Sequence, residues 1–272
     1  LEDMYGHASS LALAGDKVIV QLDQGMTPDE MLSTITAVRI GSGEYAWTTP
    51  RPVAGSWSSP IVIEAGGAKQ VIAVGDPLMI AHDAAGGKPI WRVRAFGPDQ
   101  APTPIFAGGL VIAAASGPSG AEALAVRPDG RGDVTETHVA WKVEEGVPEI
   151  SSPLSDGKRV FLASDWLTCY QVKTGRKLWV HQFEDALFEA SPSLAGGRLY
   201  LLDKRGTMYV GTADDEGFTQ TAVNRLGEKH VVSASPAFAP GRIYIRARVL
   251  VGETEDGYDI FKHRLYCIGK AR

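Results

Sequence analysis

Short apolar runs recur along the chain, and each one follows a polar or glycine-containing turn. Six of them read "GDKVIVQ", "AKQVIAV", "GGLVIAA", "GKRVFLA", "GRLYLLD" and "GRIYIRA". Runs of this length bounded by turn residues are typical of β-strands and are too short for most helices. The pattern therefore predicts an all-β protein.

A triplet of small residues precedes each apolar run and repeats in step with it. The triplets are "SSL" at 9–11, "SSP" at 58–60, "PTP" at 102–104, "SSP" at 151–153, "ASP" at 190–192 and "ASP" at 234–236. Their third residues lie 39 to 49 residues apart, a period typical of repeat architectures. We divide the single domain 1–272 into repeats at approximately 7–50, 51–95, 96–145, 146–184, 185–228 and 229–272.

An eleven-residue motif, with a small residue first, Gly seventh and Trp last, marks several repeats. It reads "AVRIGSGEYAW" at 37–47, "AHDAAGGKPIW" at 81–91 and "CYQVKTGRKLW" at 169–179. We expect each Trp to pack across the gap to the neighbouring sheet, over the small residue, with its indole N–H bonded there. The docking positions are Ala37, Trp47, Ala81, Trp91, Cys169 and Trp179, with Ala125 and Trp141 in the third repeat, where "RGDVTETHV" forms a loop insertion.

Each repeat reads as four short antiparallel strands, shown in the fourth by "SSPLS", "RVFLAS", "LTCYQV" and "KLWVHQ". One small sheet cannot bury both its faces, whereas radial stacking covers each sheet with its neighbour. We therefore predict a β-propeller of four-stranded antiparallel blades. The sixth repeat ends at "LYCIGKAR", before any fourth strand.

The eleven-residue motif and the Ser-Ser-Pro opening resemble the tryptophan-docking motif of pyrroloquinoline-quinone-like (PQQ-like) propellers. The segment 151–179 is similar to PQQ-like repeat proteins of environmental bacteria. The resemblance implies a ring of seven or eight blades with an N-terminal part missing, or a six-fold ring whose last blade is completed by residues 1–5. An open ring would expose an apolar sheet face and predicts self-association.

The resemblance also implies chemistry that this chain does not match. Quinoprotein dehydrogenases of this type bind PQQ and a calcium ion held by Glu, Asn and Asp, use a catalytic Asp, and in many members join adjacent cysteines. Here the only Asn is Asn224, and Cys169 and Cys267 lie 98 residues apart. We expect buried free thiols and no catalytic residue, metal ligand or cofactor, with PQQ and calcium as the disfavoured possibility.

Composition narrows the possible partners. The net charge is −5 without a long basic tract, which argues against a nucleic-acid partner. No apolar run reaches the roughly 18 residues of a transmembrane segment. Because the chain opens with Leu1, we interpret it as processed or truncated, so the lack of a signal sequence carries no information. The family resemblance implies an extracytoplasmic location, periplasmic or secreted.

The expected function is a non-catalytic binding scaffold that presents one propeller face to a protein or carbohydrate partner. The alternatives are a quinoprotein-like oxidoreductase, a channel-mouth hydrolase or lyase, and a sensor module fused to another domain. The oligomeric state stays open. Trp57 and Trp166 fall outside the docking register and are either filler or exposed anchors. The candidate binding residues, all in or near loops at one end of the strands, are Trp57, Asp76, Asp165, Trp166, Glu189, Lys204, Arg205 and Arg246.

Overall fold

The computed structural model describes residues 6–118, 120–254 and 256–269, and within them almost all regular structure is β-strand. The exception is a 3₁₀ turn, Pro28–Glu30. The strands form successive sheets, numbered 1 to 6 in chain order, in which most strands pair antiparallel with their chain neighbours. The predicted all-β fold of four-stranded antiparallel sheets is therefore confirmed.

The first three sheets follow one plan, in which four strands pair in chain order. Sheet 1 contains β1 (Ala12–Ala14), β2 (Lys17–Leu22), β3 (Ser33–Arg39) and β4 (Tyr45–Arg51). Sheet 2 contains β5 (Ile61–Ala65), β6 (Ala68–Val74), β7 (Leu78–Asp83) and β8 (Pro89–Arg94). Sheet 3 contains β9 (Ile105–Ala107), β10 (Leu110–Gly117), β11 (Gly120–Val126) and, after a short β12 (Gly132–Asp133), β13 (Val139–Val143).

Sheets 4 and 5 repeat the plan, and sheet 6 departs from it. Sheet 4 contains β14 (Leu154–Ser155), β15 (Arg159–Ala163), β16 (Trp166–Gln171) and β17 (Lys177–Gln182). Sheet 5 contains β18 (Ser193–Ala195), β19 (Arg198–Leu202), β20 (Thr207–Ala213) and β21 (Phe218–Arg225). In sheet 6, the long β24 (Arg242–Glu253) pairs with β22 (His230–Val231), β23 (Ala237–Ala239) and β25 (Asp259–Gly269).

The insertion in the third repeat is not simply a loop, which corrects our expectation. Its β12 pairs in parallel with β8, placing Gly132 opposite Trp91 and Asp133 opposite Arg92. Asp133 also accepts a hydrogen bond from Arg92 at 3.3 Å. The insertion thus gives sheet 2 a fifth strand on its outer edge.

The sheets pack face to face, and a separate apolar cluster fills each seam between neighbours. A hydroxyl ladder links the first strands: the second residue of each opening triplet donates its backbone N–H to the hydroxyl of its counterpart in the next sheet. The distance from the backbone nitrogen to the hydroxyl oxygen is 3.4 Å from Ser59 to Thr103. It is 2.9 Å in the other four pairs, Ser10–Ser59, Thr103–Ser152, Ser152–Ser191 and Ser191–Ser235. The small triplets therefore fix the spacing of the sheets.

Tryptophans span the outer part of several seams. Trp47 lies opposite Ala37 within sheet 1 and donates its indole N–H to the Ala84 carbonyl of sheet 2, at 3.2 Å. Its ring also lies against Gly87, because a Cβ built there would be 2.5 Å from the indole. Such a contact leaves no room for a side chain, so position 87 has to be glycine.

The same arrangement joins sheets 3 and 4. Trp141, opposite Ala125, donates to the Val172 carbonyl at 2.8 Å and lies against Gly175.

The remaining seams differ in detail. Trp91, opposite Ala81, reaches sheet 3 through Gln70, which accepts from the indole and donates to the Pro128 carbonyl, both at 2.9 Å. Trp179, opposite Cys169, donates to the Asp214 carbonyl at 2.9 Å. In sheet 5 the corresponding position, opposite Val210, is Ala222. The seam between sheets 5 and 6 therefore has no indole contribution from this position.

The outer face of sheet 6 corrects one expectation about the cysteines. Both thiols are free and Cys169 is buried, but Cys267 on β25 is exposed, because no described strand packs over that face. The possible completion of this sheet by residues 1–5 lies outside the described residues. The number of blades in a closed ring and the exact repeat bounds remain predictions.

Candidate functional site

The connections that carry the candidate residues gather at one end of the strands, the loop end. In an antiparallel meander, the turn from second to third strand and the connection from fourth strand to the next sheet lie at the same end. Connections of this kind are positioned by a rigid scaffold and often carry binding residues. The cavities that the candidate residues line open here.

Two adjoining cavities form a groove across sheets 3 and 4, which we call the acidic groove. One has a volume of about 450 Å³ and the other of about 350 Å³, and both are lined by Ala121 and Glu144. The β8–β9, β13–β14 and β17–β18 connections form much of its walls. Its acidic side chains are Glu122, Glu144, Glu149, Asp165 and Glu189.

Three of these acids have no basic partner. Within the described part of the chain, Glu144, Glu149 and Asp165 form no ion pair or side-chain hydrogen bond, whereas Glu122 accepts from Lys142 at 3.0 Å. One oxygen of Glu122, Oε1, is nevertheless buried without a partner among those residues. The groove therefore presents negative charge that the fold itself does not neutralise.

Glu189 is held differently from the other acids. Burial alone would raise its pKa, but hydrogen bonds from Lys204 and Ser233 lower it, and the positive charges of Lys204 and Arg248 act in the same direction. Glu189 and Lys204 form an ion pair. Because the pair is internally neutralised, we assign it a bracing role at the groove wall.

Exposed apolar side chains lie beside the unpaired acids. Ile150 is 45% exposed, Leu187 43% and Trp166 36%, and all three line the smaller cavity. Apolar side chains next to unpaired charges are typical of a surface that binds another macromolecule.

The predicted binding residues do not form one site. Asp165, Trp166 and Glu189 meet in the acidic groove, and Lys204 reaches it through Glu189. Arg205 lines a separate cavity between sheets 4 and 5.

Trp57 and Asp76 lie outside the acidic groove and outside the cavity between sheets 4 and 5; they are near sheets 1 and 2. The Trp57 indole donates to the Gly6 carbonyl at 2.9 Å, and its backbone N–H donates to the Gln100 carbonyl at 2.7 Å. These bonds anchor the β4–β5 connection. We read Trp57 as part of the loop framework. For Asp76, burial raises the pKa of the carboxyl group, and the negative charge of Asp99 raises it further.

Arg246 lies on β24, on the exposed outer face of sheet 6. It donates to Nδ1 of His263 at 3.2 Å. It therefore belongs to an end face of the stack and not to either cavity.

Four groove residues were not predicted from the sequence: Glu144, Glu149, Ile150 and Leu187. The first three lie on the β13–β14 connection and Leu187 on the β17–β18 connection, where no motif position marks them. The available signal was "EEGVPEI", in which acids alternate with apolar residues in a fourth-strand-to-first-strand connection.

The described residues do not fit a calcium–quinone site. Among residues 6–118, 120–254 and 256–269, no group of three or more His, Cys, Asp or Glu side chains is placed to hold a metal ion. Asn224 lies exposed on β21, opposite Met208, and the two cysteines are on different sheets. We derive no reaction step through these groups.

Comparisons with known proteins place the chain in a family. A family model described as "Outer membrane protein assembly factor BamB" matches residues 32–127 and 131–257. A search of the curated proteins finds no match. In the part of the chain that the structure describes, no helix has the length and apolar character needed to cross a membrane.

Solved structures show the same fold. The chain is similar to BamB from Moraxella catarrhalis, with 14% identity, a TM-score of 0.63 and coverage of 94% of this chain and 72% of that one. It is also similar to the computationally designed Ika8 protein, with 11% identity, a TM-score of 0.63 and coverage of 96% and 70%. These likenesses show a β-propeller fold, and since the family model spans most of the sequence, the chain belongs to the PQQ-like propeller family described as outer membrane protein assembly factor BamB.

Proposed function

We propose that this protein is a non-catalytic binding scaffold that acts outside the cytoplasm and holds a partner protein at its loop end during outer membrane protein assembly. The family description supports the assembly role and the location. The proposal requires no metal and no cofactor.

One observation carries the binding site: the unpaired Glu144, Glu149 and Asp165 lie in the same groove as the exposed Ile150, Trp166 and Leu187. Desolvated apolar contacts supply affinity at a protein interface, whereas complementary charge steers the encounter and selects the partner. The matching partner is a protein segment that carries apolar side chains flanked by Lys or Arg.

Photo-crosslinking in the source cells tests this function. A photoreactive residue replaces Trp166 in the full chain, and the same residue at Ser42, in the turn at the opposite end, serves as the control. We expect the Trp166 position to crosslink to an outer membrane assembly protein and the Ser42 position not to. Equal crosslinking at the two positions would contradict the proposal.

Charge neutralisation tests the role of the acids. The triple change Glu144→Gln, Glu149→Gln and Asp165→Asn should lower the crosslinking yield at Trp166 by about tenfold, because the complementary charge is lost. The matched control, Asp16→Asn with Glu44→Gln, neutralises acids at the opposite end and should leave the yield unchanged. An unchanged yield in the triple variant would exclude charge recognition at this groove.

A further inference from the structure

The separate cavity between sheets 4 and 5, lined by Arg205, has a volume of about 730 Å³ and also opens at the loop end. The end of β17, the β19–β20 turn, the outer part of β21 and the segment after it form its walls. Its volume falls in the range of about 300–1,000 Å³ that is usual for small-molecule sites. It shares none of its lining residues with the acidic groove.

Aromatic rings form part of the cavity wall. Phe183 lies at their centre, with ring-centroid distances of 4.6 Å to His181 and 4.5 Å to Tyr209. Phe188 and Phe218 support Phe183 at 5.3 and 5.7 Å. Burial lowers the pKa of His181 and so favours its uncharged ring. The wall therefore offers rigid, uncharged ring surfaces.

Polar side chains around these rings are free to bind a ligand. Several lining side chains make no ion pair and no side-chain hydrogen bond with the described residues. They are Glu184, Asp185, Arg205, Gln220, Arg225, Glu228 and Lys229. The Tyr209 hydroxyl likewise has no hydrogen-bond partner among the described residues. Asp203 behaves differently, because it is buried and accepts from the N–H groups of Arg205 and Thr207.

The charges of Asp203, Arg225, Arg205 and Glu184 act on the Tyr209 hydroxyl. Burial raises the pKa of Tyr209, the charge of Asp203 adds to this, and the charges of Arg225 and Arg205 oppose it. Donors and acceptors thus surround an aromatic ring. A ligand with a single strong charge would meet groups of both signs, so the lining favours an uncharged ligand.

We propose that the cavity between sheets 4 and 5 is a binding site for a neutral saccharide. Each sugar hydroxyl both donates and accepts, so it can take a hydrogen bond from Arg205 or Arg225 and give one to Glu184. The apolar C–H face of a sugar ring packs on the partly exposed ring of Tyr209, which the buried Phe183 supports from behind. The inference is independent of the protein-binding role of the acidic groove.

Saccharide titrations of the purified protein test the site. The probes are maltohexaose, cellohexaose, xylohexaose and chitohexaose, each followed by saturation-transfer NMR and by calorimetry. We expect at least one of them to bind with saturation at millimolar concentration. If none of the four binds, the proposal is overturned.

Matched variants locate the binding. The double change Arg205→Gln and Arg225→Gln should weaken binding by about tenfold, because charge-assisted donors are lost while the side chains remain polar. The exposed Arg246→Gln on sheet 6 is the control and should bind like the unmodified protein. Thermal unfolding of each variant checks that its fold is intact.

Two other results would also overturn the proposal. One is saccharide binding that the double variant leaves unchanged, which would place the sugar elsewhere. The other is saturation of the cavity by an alternating Lys–Glu hexapeptide but by none of the saccharides, which would assign the site to a charged peptide. Because neither result involves the acidic groove, failure here leaves the protein-binding function standing.

Discussion

A buried polar network lies between sheets 1 and 2. Arg51 and Asp23 form an ion pair with both side chains fully buried. His82 is buried nearby, and its Nδ1 lies 3.1 Å from the Gly87 carbonyl, which can only accept. Nδ1 therefore carries the proton in the neutral ring, and Nε2 has no partner among the described residues. Burial and the Arg51 charge lower the pKa of His82 to about 4.

We predict an acid-sensitive step in stability from His82. Its folded-state pKa is lowered, so the unfolded chain takes up the proton first, and stability is fully present above about pH 6.5 and falls as the pH approaches 4. The loss should amount to about 3 kcal/mol. The variant His82→Asn cannot be protonated, so urea denaturation at several pH values should show a flatter dependence across this window.

The exposed His263→Asn is the control for this experiment. It should leave the pH dependence as in the unmodified protein. A dependence that persists unchanged in His82→Asn would show that another group is responsible.

The contact between Trp47 and Gly87 predicts that replacing Gly87 lowers the free energy of unfolding more than replacing a turn glycine without such a contact. Gly87 has a φ of +76° and its Cβ would lie 2.5 Å from the indole, whereas Gly66 has a φ of +58° with open space around it. Gly66→Ala should cost about 1 kcal/mol through backbone strain alone. Gly87→Ala should cost at least about 2 kcal/mol more, because the indole has to move. Urea denaturation measures both, and equal losses would contradict the proposed contact.

Elements defined by a local period were predictable from the sequence. The apolar runs and their glycine turns indicate strands because a strand and its turn are encoded within a dozen adjacent residues. The pairing of β12 with β8 was not predictable, since its partner lies about 40 residues away and no motif connects them. Alternation on β25 likewise shows which residues share a face, but not that the face holding Cys267 stays uncovered.

The candidate site was only partly predictable for a related reason. Asp165 and Trp166 follow a recognisable second strand, so their place at the loop end follows from the repeat. Glu144, Glu149 and Ile150 lie on an irregular connection, and only the packing of sheets 3 and 4 brings them beside Trp166. Whether a residue lines the groove depends on how two sheets pack together, and the sequence of a single repeat does not encode that packing.

At the scale of the whole molecule, the described residues leave the outer faces of sheets 1 and 6 exposed. Leu13 on sheet 1 is 67% exposed and Leu265 on sheet 6 is 71% exposed. Both lie on the faces that point away from the neighbouring sheet, since Ile19 and Ile245 occupy the inner faces. Uncovered apolar sheet faces favour association with another surface.

We therefore predict that this chain self-associates as its concentration rises. Leu13→Lys should weaken the association, because it places a charge on the uncovered face. Leu194→Lys is the matched control: Leu194 is exposed at the corresponding position of β18, but sheet 5 has a neighbour on both sides. Sedimentation velocity measures the effect, and a monomer at all concentrations would refute the prediction.

The alanine at position 222 has a consequence for how the molecule comes apart. In a stack of repeats, stability is approximately the sum of each unit and its contacts with its neighbours, so the weakest seam divides the stack into separately opening units. Sheets 5 and 6 are joined by an apolar cluster and by the Tyr200–Phe238 ring pair at 4.9 Å, without an indole from position 222. The amides of sheet 6 should therefore exchange with solvent through an opening that leaves sheets 1 to 5 folded. Cooperative unfolding would then include only the sheets that are joined by docking tryptophans.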